Sequence, residues 1–395
     1  MSEKYVKVVL KSGKDQSLRR FHPWVFSGAI KKMYGEPSEG DIVAVFDNKD
    51  EFLGLGHYQI GSITIRVFSF NEVEPDYEFW KSKIFKAYEV RQNFGLTDAE
   101  HTNVYRLFFG EGDGIPGLII DYYNGNVVMQ IHSIGAYKLR EILVEILKEL
   151  YGENLQSVFD KSESTLPKKG PVDAKNEFLL GDSQTEVVKE NGLNFRVNWI
   201  DGQKTGFFID QRDNRKLLQK YSLGRKVLNM FCYTGGFSVY SIRGGAELVH
   251  SVDSSARAID LVKENVGLNF SNAPHEAFAV DAFKYLDDIK DKYDLIILDP
   301  PAFAKHLNVL SNALQGYKRL NQVAFEQIKP GGILFTFSCS QVVSKENFRK
   351  SVFAAAANAK RNVRILHQLS QPVDHPISIF HPEGEYLKGL VLYVE

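Results

Sequence analysis

Cysteine is scarce in this chain, and its scarcity excludes several protein classes. Two cysteines among 395 residues, Cys232 and Cys339, are too few for a disulfide scaffold and fit a reducing compartment. No CxxC motif is present and the ten histidines are scattered, so we expect no metal site. Long apolar runs are also missing: none approaches the roughly 18 residues of a membrane span, and the N-terminus lacks the apolar core of a signal peptide. We therefore predict a soluble, cytoplasmic protein with no membrane partner.

An excess of one charge is missing as well. Lys and Arg number 48 and Asp and Glu number 49, so the net charge of -1 excludes a uniformly basic surface. The distribution is nevertheless uneven, because residues 1–32 carry +6 and the remainder of the chain carries -7. This basic N-terminal stretch is either an ordinary solvated surface or a patch that contacts phosphates.

The pattern of apolar residues divides the chain into three parts. Residues 1–72 contain short apolar runs between Gly-containing turns, which predict a small β barrel. Residues 73–195 mix strands and helices, and the apolar spacing from Leu139 to Leu150 predicts one helical face that ends at Gly152. Residues 196–395 alternate seven apolar strands with helices, which predicts a doubly wound α/β sheet. A ligand should bind at the carboxyl ends of such strands.

Three of these predicted strands end in a carboxylate, at Asp253, Asp281 and Asp299. Asp253 follows Gly236 by 17 residues, near the roughly 20 residues expected of a carboxylate that binds a ribose. Asp281 could accept a hydrogen bond from an adenine amine. The alternative for each is an Asp that caps the following helix. Three together at strand ends favour a ligand site.

The first of the strands leads into an aromatic and glycine-containing turn, residues 231–236 (FCYTGG). Its two glycines permit a tight turn and a close approach of backbone to a ligand. The turn lacks the spacing of a dinucleotide-binding loop, and no phosphate-binding loop with GK[ST] occurs. The expected ligand is an adenosine without a phosphate cradle, a description that S-adenosylmethionine fits.

The segment after the fourth strand and the cysteine after the fifth suggest how a base could be handled. Asp299-Pro300-Pro301 is stiff, and a planar substrate could stack beside Phe303 while Asp299 reaches its polar edge. A rigid exit from the strand is the alternative. Cys339 ends the next strand and could be a buried apolar residue or a nucleophile. A thiolate that adds to carbon 6 of cytosine makes carbon 5 able to accept a methyl group, and Cys232 is expected only to pack.

These motifs, with residues 203–212 (QKTGFFIDQR) and residues 20–26 (RFHPWVF), resemble those of the RlmI family of 23S rRNA cytosine-5 methyltransferases. The resemblance extends over essentially the whole chain. It implies a PUA-like RNA-binding barrel at 1–72, a central α+β domain at 73–195 and a Rossmann-like, S-adenosylmethionine-dependent methyltransferase domain at 196–395. It also implies an rRNA substrate; a homodimer is compatible with the sequence. Some RNA cytosine-5 methyltransferases carry a second cysteine beside the Asp-Pro-Pro motif, where this chain has Ala302 and Phe303.

The residues expected to act fall into four groups. Cys339 and Asp299 are the candidate catalytic residues, and Pro300, Pro301 and Phe303 the candidate base pocket. The candidate cofactor-binding residues are Gln211, Phe231, Tyr233, Thr234, Gly235, Gly236, Asp253, Asp281 and Ala282. The candidate RNA contacts are Arg19, Arg20, His22 and Trp24, the last two with barrel packing as the alternative.

Two other functions remain open on the sequence alone. An RNA guanine N-methyltransferase could carry an Asp-Pro-Pro motif with a structural Cys339. A non-catalytic RNA-binding protein could retain the same fold, although the retained Asp253, Asp281 and Asp299 argue against it.

Overall fold

Apolar runs of the lengths seen in the sequence form four sheets in the computed structural model, which describes residues 4–167, 170–183 and 187–395. These residues divide into two compact units. The first comprises Met1–Lys189, Val197–Ile209 and Val373–Gly384, and the second comprises Glu190–Arg196, Asp210–Pro372 and Glu385–Glu395. Within the described ranges, no helix combines the length and apolar character needed to cross a bilayer.

The first unit begins with a six-stranded sheet. Its strands are β1 (Val6–Leu10), β2 (Trp24–Phe26), β3 (Ile30–Tyr34), β4 (Ile42–Phe46), β5 (Phe52–Tyr58) and β6 (Ile63–Ser69), in the order β2-β6-β5-β4-β1-β3, with helix α1 (Gln16–Arg19) between β1 and β2. The runs predicted as strands are confirmed. The strands β2 and β3 were not predicted, because one is only three residues long and the other is largely exposed, so neither gives a clear apolar run.

A second, five-stranded sheet follows in the same unit. Its elements are α2 (Tyr77–Asn93), β7 (Val104–Phe109), α3 (Gly110–Asp113), β8 (Leu118–Tyr123), β9 (Asn126–Ile131), α4 (Ile134–Tyr137), α5 (Arg140–Tyr151), β10 (Ser157–Asp160) and β11 (Glu177–Leu180), with strand order β11-β10-β9-β8-β7. The helical face predicted from Leu139 to Leu150 is confirmed as α5, which ends at Gly152. One apolar core contains residues of both sheets and of α2, such as Leu55, Trp80 and Ile120.

The second unit contains the predicted doubly wound sheet. A hairpin of β12 (Val187–Glu190) and β13 (Leu193–Arg196) precedes this sheet in the chain. The elements that follow are α6 (Arg212–Tyr221), β14 (Lys226–Met230), α7 (Gly236–Arg243), β15 (Leu248–Asp253), α8 (Ala256–Gly267), β16 (His275–Ala279), α9 (Ala282–Leu286), β17 (Leu295–Leu298), α10 (Leu310–Gln327), β18 (Gly332–Ser338), α11 (Lys345–Asn358), β19 (Val363–Leu369) and β20 (Lys388–Val394). The seven strands lie in the order β16-β15-β14-β17-β18-β20-β19. The strands β16, β15, β14, β17 and β18 are parallel, and β20 runs antiparallel to both of its neighbours.

Burial on both faces explains the sequences of the central strands. Every residue of β17 and of β18 is buried, as expected when helices cover both sides of a parallel sheet. The edge strand β19 is partly exposed along its length, and its apolar pattern is correspondingly weaker. The carboxyl ends of the parallel strands therefore lie along one edge of a well-packed sheet.

One buried histidine, in the first unit, has a pKa that its packing lowers. His57 lies among aromatic rings, 4.8 Å from Phe68 and 5.9 Å from Trp80 between ring centroids. A Cβ at Gly135 would lie 2.1 Å from its Cγ, so the ring fits only against glycine. Burial lowers the pKa of His57 to about 3.

We expect this histidine to reduce stability in acid. Its pKa is lower in the folded than in the unfolded chain, so the stability present above pH 6.5 is lost as the pH falls, by about 2 kcal/mol between pH 7 and pH 5. In urea titrations at both pH values, His57→Phe should remove that difference, whereas His101→Phe, at an exposed position, should leave it unchanged. Equal pH dependence of wild type and His57→Phe would contradict the expectation.

Candidate active site

Four loops of the second unit meet at the carboxyl edge of its sheet. Asp253 ends β15, Phe231 follows β14, Asp299 follows β17 and Cys339 follows β18. The registers bring the strand ends close together, because Met230, the last residue of β14, pairs with Leu298, the last of β17, and with Val252, the next-to-last of β15. The motifs that the sequence separates by up to about a hundred residues are thereby brought to one edge, where a doubly wound sheet binds its ligand.

The glycine-containing turn is held in an unusual backbone conformation. Phe231, Tyr233 and Gly235 have φ angles of 57°, 47° and 79°, in the left-handed region that bulky residues rarely occupy. A Cβ at Gly235 would lie 2.9 Å from Cγ1 of Val262, so a side chain has no room there. Backbone strain of this kind persists only where the surroundings impose it, and it is concentrated at functional sites.

Asp253 fixes the turn to the neighbouring strand. Its Oδ2 accepts a hydrogen bond from the backbone N–H of Tyr233 at 3.0 Å, and its Oδ1 accepts one from Ser255 at 3.0 Å. The side-chain amide of Asn265 donates to the carbonyl of Thr234 at 2.8 Å from the other side. The turn and the carboxylate thus form one rigid unit, with the half-buried Asp253 at its rim.

A buried ion pair lies beneath the turn and was not predicted from the sequence. Arg215 donates to both carboxylate oxygens of Glu190, at 2.9 and 2.7 Å, and Tyr240 donates to the same carboxylate at 3.0 Å. A Cβ at Gly236 would lie 3.0 Å from Cδ of Arg215, which explains a glycine at the start of α7. No sequence signal marks the pair, because Glu190 and Arg215 stand 25 residues apart with no motif around either.

Asp281 shows the capping geometry that was the alternative to ligand binding. It is exposed and is the N-cap of α9, where its side chain accepts from the backbone N–H of Lys284 at 3.0 Å. Ala282, the first residue of that helix, is buried. The contribution of both residues to a cofactor site stays a prediction.

Asp299 is oriented by a chain of two amides. Gln211 donates from Nε2 to Oδ2 of Asp299 at 3.0 Å, and Asn214 donates from Nδ2 to Oε1 of Gln211 at 2.6 Å. The sequence had suggested Gln211 as a cofactor ligand, whereas the structure brings its side chain to the carboxylate of Asp299. Asn214 was missed, although it lies in the first turn of α6, three residues after the N-cap residue Gln211.

Ser340, in the loop after β18, is hydrogen-bonded to the loop after β17 and to α10. Oγ of Ser340 accepts from the backbone N–H of Ala304 at 3.3 Å and lies 3.1 Å from the hydroxyl of Tyr317. The ring of Phe303 packs on that of Tyr317, with centroids 4.6 Å apart. Pro300 is buried and Pro301 is exposed. The predicted base pocket is therefore fixed to the loop that carries Cys339.

The two cysteines differ in their surroundings. Cys339 is partly exposed, and its Sγ lies 4.0 Å from the carbonyl oxygen of Pro300. Cys232 is buried in the glycine-containing turn, and burial raises the pKa of its thiol well above the usual value, with the charge of Asp253 adding to the effect. A protonated, enclosed thiol is a poor nucleophile, so the reactive candidate is Cys339.

The predicted RNA contacts lie in the first unit, and they differ in how strongly neighbouring residues engage their side chains. Arg19 forms ion pairs with three carboxylates, and the two made by its Nη2 are 2.7 Å to Asp47 and 2.6 Å to Glu51. Arg20 is exposed. Between them and His22 stands Phe21, which sequence reasoning passed over: its side chain is 50% exposed at a φ of 61°.

His22 and Trp24 are held by neighbours, as the packing alternative expects. Nε1 of Trp24 donates to Glu111 at 2.8 Å, and its ring lies 4.4 Å from that of His381. His22, His381 and Glu383 come within 4.8 Å of one another, a spacing that would suit a metal. However, Nδ1 of His22 accepts from the backbone N–H of Trp24 at 3.3 Å, so Nε2 carries the proton toward Glu383. That pattern is a hydrogen-bonded imidazole rather than a preformed ligand set.

Comparison with known proteins identifies the family. The profile described as S-adenosylmethionine-dependent methyltransferase matches residues 105–378, and that of a PUA-like domain matches residues 8–70. Ribosomal RNA large subunit methyltransferase I of Aeromonas hydrophila is 41% identical, with 98% of each chain covered, and that of Photobacterium profundum is 40% identical over 98% of this chain and 99% of its own. The chain belongs to the ribosomal RNA large subunit methyltransferase I family.

Two solved structures share the fold of this chain. A candidate S-adenosylmethionine-dependent methyltransferase from Streptococcus mutans is 24% identical, with a TM-score of 0.83 over 98% of this chain and 100% of its own. A candidate methyltransferase in complex with SAH is 25% identical, with a TM-score of 0.85 over the same shares. The chain is thus a methyltransferase whose cofactor is S-adenosylmethionine. The strained turn and the partly exposed carboxylate of Asp253 lie together at the carboxyl edge of the sheet, where a doubly wound fold binds its ligand, so the site suits such a group.

We expect the turn to tolerate no side chain at Gly235. Gly235→Ala combines a left-handed φ with a contact of 2.9 Å to Val262, so affinity for S-adenosylmethionine should fall about tenfold or more, as measured by calorimetry. Gly224→Ala is the matched control, since Gly224 has a φ of 66° but open space around its Cβ position. Equal affinities for the two variants would refute a role of this turn in binding.

Proposed function

We propose that this methyltransferase modifies carbon 5 of a cytosine in large-subunit (23S) rRNA, with Cys339 as a covalent nucleophile. The observation that carries the proposal is a partly exposed thiol at the ligand-binding edge of the sheet, with Sγ 4.0 Å from the carbonyl of Pro300 in the Asp-Pro-Pro segment. The rRNA substrate is supported by the names of the relatives, each a ribosomal RNA large subunit methyltransferase I.

The chemistry explains why a thiol is needed. Carbon 5 of cytosine is a poor nucleophile, and the thiolate of Cys339 overcomes this by forming a bond to carbon 6, which places the electron pair of the 5,6 double bond on carbon 5. S-adenosylmethionine supplies the electrophilic methyl group when bound. The proton on carbon 5 then leaves to solvent, the double bond re-forms and Cys339 departs as a thiolate.

Asp299 and its loop would hold the base during these steps. Gln211 fixes one carboxylate oxygen of Asp299, so the side chain is held in a defined direction. In the proposed complex this carboxylate would face the pyrimidine's polar edge. Fixed polar groups of this kind stabilise charge as it develops on the ring. Pro300, Pro301 and Phe303 would border the base.

The cofactor residues proposed are those around the glycine-containing turn. Backbone groups of the turn would approach the methionine part, and the carboxylate of Asp253 would accept from the ribose hydroxyls. The residues concerned are Phe231, Tyr233, Thr234, Gly235, Gly236 and Asp253, with Asp281 and Ala282 toward the adenine and Gln211 shared with Asp299.

Trapping should test the nucleophile. With RNA that contains 5-fluorocytosine, the carbon–fluorine bond does not break, so we expect a stable covalent complex that includes Cys339, detectable by denaturing gels and peptide mass spectrometry. Cys339→Ala should form none and should lose methylation by about three orders of magnitude or more. Cys232→Ala is the control and should still form the complex.

Full activity of Cys339→Ala without an adduct would overturn the proposal and favour methylation of a guanine nitrogen. Failure to bind S-adenosylmethionine at all would instead favour a non-catalytic RNA-binding protein. Mass spectrometry of rRNA from cells with and without the protein then identifies the modified base.

For RNA binding we propose that residues 1–72 act as the RNA-contacting part, ahead of a central domain at 73–195 and the catalytic domain at 196–395. The basic N-terminal stretch supports this. For Arg19, contact with RNA would require it to leave Asp47 and Glu51, so Arg20 is the stronger candidate. His22 and Trp24 would contribute by supporting this surface.

Substitution of the two arginines separates these roles. Arg20→Ala should weaken RNA binding and reduce its salt dependence by about one phosphate contact. Arg19→Ala should mainly lower the melting temperature, because it leaves Asp15, Asp47 and Glu51 unpaired. Titrations of RNA by fluorescence anisotropy at several salt concentrations measure the first effect; unchanged affinity of Arg20→Ala at low salt would contradict it.

We also propose a cytoplasmic location, where an rRNA substrate and two free cysteines are expected together. A homodimer remains a prediction that sedimentation or gel filtration can decide.

A further inference from the structure

Lys388 is a lysine in an unusual place. It is the first residue of β20, pairs with Ser338 of β18 and is only 4% exposed. Lysine is almost never this buried unless its charge has a partner. Ser338 directly precedes Cys339, so the lysine enters the sheet beside the proposed nucleophile.

The ammonium group is directed at the loop that carries Cys339. Its Nζ donates to the carbonyl oxygens of Ser340 at 2.7 Å and of Val343 at 2.6 Å. Both acceptors are neutral, and in the described part of the chain no carboxylate is hydrogen-bonded to this group. Two carbonyls fix its position and leave its positive charge without a directly bonded counter-charge.

Several neighbouring elements contribute groups around Lys388 and Cys339. Cys339 and Glu385 favour the ammonium form of Lys388, whereas Lys345 of α11 opposes it and is itself paired with Glu385. Burial is the dominant effect and lowers the pKa of Lys388 to about 8, so it is mostly charged at neutral pH. Tyr317 of α10 faces Cys339 as a neutral phenol, because burial raises its pKa. The loop after β17 contributes a neutral group, the carbonyl of Pro300, which lies 4.0 Å from Sγ of Cys339.

We propose that the ammonium of Lys388 is the counter-charge that favours the thiolate of Cys339, which makes Lys388 a positioning residue for the nucleophile. This inference rests on the proposed function of Cys339. The interaction is reciprocal: a thiolate that stabilises an ammonium is stabilised by it to the same extent. The thiol proton goes to solvent, and the charge of Lys388 is unchanged when the sulfur adds to carbon 6.

The test is the pH dependence of alkylation, which needs no RNA. Wild-type protein is treated with iodoacetamide between pH 5.5 and 9.5, and the labelled cysteine is quantified by peptide mass spectrometry. Cys339 should react with a midpoint clearly below pH 8.5, the value of an unperturbed thiol. A midpoint at or above 8.5 would overturn the proposal without any variant.

Substitutions then separate charge from structure. Lys388→Gln retains an amide donor for the carbonyl of Ser340 but removes the charge, so the midpoint should rise by about one pH unit and alkylation at pH 7 should slow about tenfold. Lys388→Arg keeps the charge and should restore most of the wild-type profile. Lys350→Gln, an exposed lysine of α11, is the matched control. A Gln variant with the wild-type midpoint would refute the proposal.

Separate control measurements test whether each variant folds and whether the proposed function holds. Binding of S-adenosylmethionine and the melting temperature identify any variant that fails to fold, in which case the wild-type midpoint and Lys388→Arg decide. If 5-fluorocytosine RNA gives no adduct with wild-type protein, the proposed function fails, whatever the alkylation profile. If the adduct forms but the alkylation midpoint of Cys339 is the same in wild type and Lys388→Gln, only the inference about Lys388 fails.

Discussion

The parallel pairing of β15, β14, β17 and β18 is the constraint on which the site depends. Each strand is almost completely buried, and a shift of register by one residue would force every side chain of a strand to pack against the helices of the opposite face. With the register fixed, the four strand ends are fixed as well. Asp253, the glycine-containing turn, Asp299 and Cys339 are therefore aligned by packing that has no chemical role of its own.

Hydrogen bonds then fix the loops that the sheet brings together at its carboxyl edge. The strained turn is held by Asp253 on one side and by Asn265 on the other, while Ser340 and Tyr317 join the loop of the Asp-Pro-Pro segment to that of Cys339. Several of these groups are buried, where an unmatched polar atom is costly, so the network favours one arrangement of the site. A rigid site of this kind suits a reaction in which base, thiol and methyl donor must align.

Much of this arrangement could be predicted from the sequence, for reasons that differ between parts. Fully buried strands such as β17 give continuous apolar runs, and a helix such as α5 shows its period, so both were located correctly. Short or exposed strands such as β2 and β3 carry no such signal. The Glu190–Arg215 pair was missed because its partners stand 25 residues apart. Asn214 was missed because its role depends on the contact of Gln211 with Asp299, which is 88 residues away in the chain.

By itself the sequence determined the order of elements, the acidic strand ends and the glycines of the turn. It also showed that an Asp-Pro-Pro segment and a cysteine each follow a predicted strand. All of these are local patterns of residue type. Only the tertiary structure decided which polar groups meet. It directs Gln211 to Asp299, engages Arg19 with carboxylates and brings Lys388, 49 residues after Cys339, to the loop next to it. Such pairings depend on strand order and burial, and no local pattern records them.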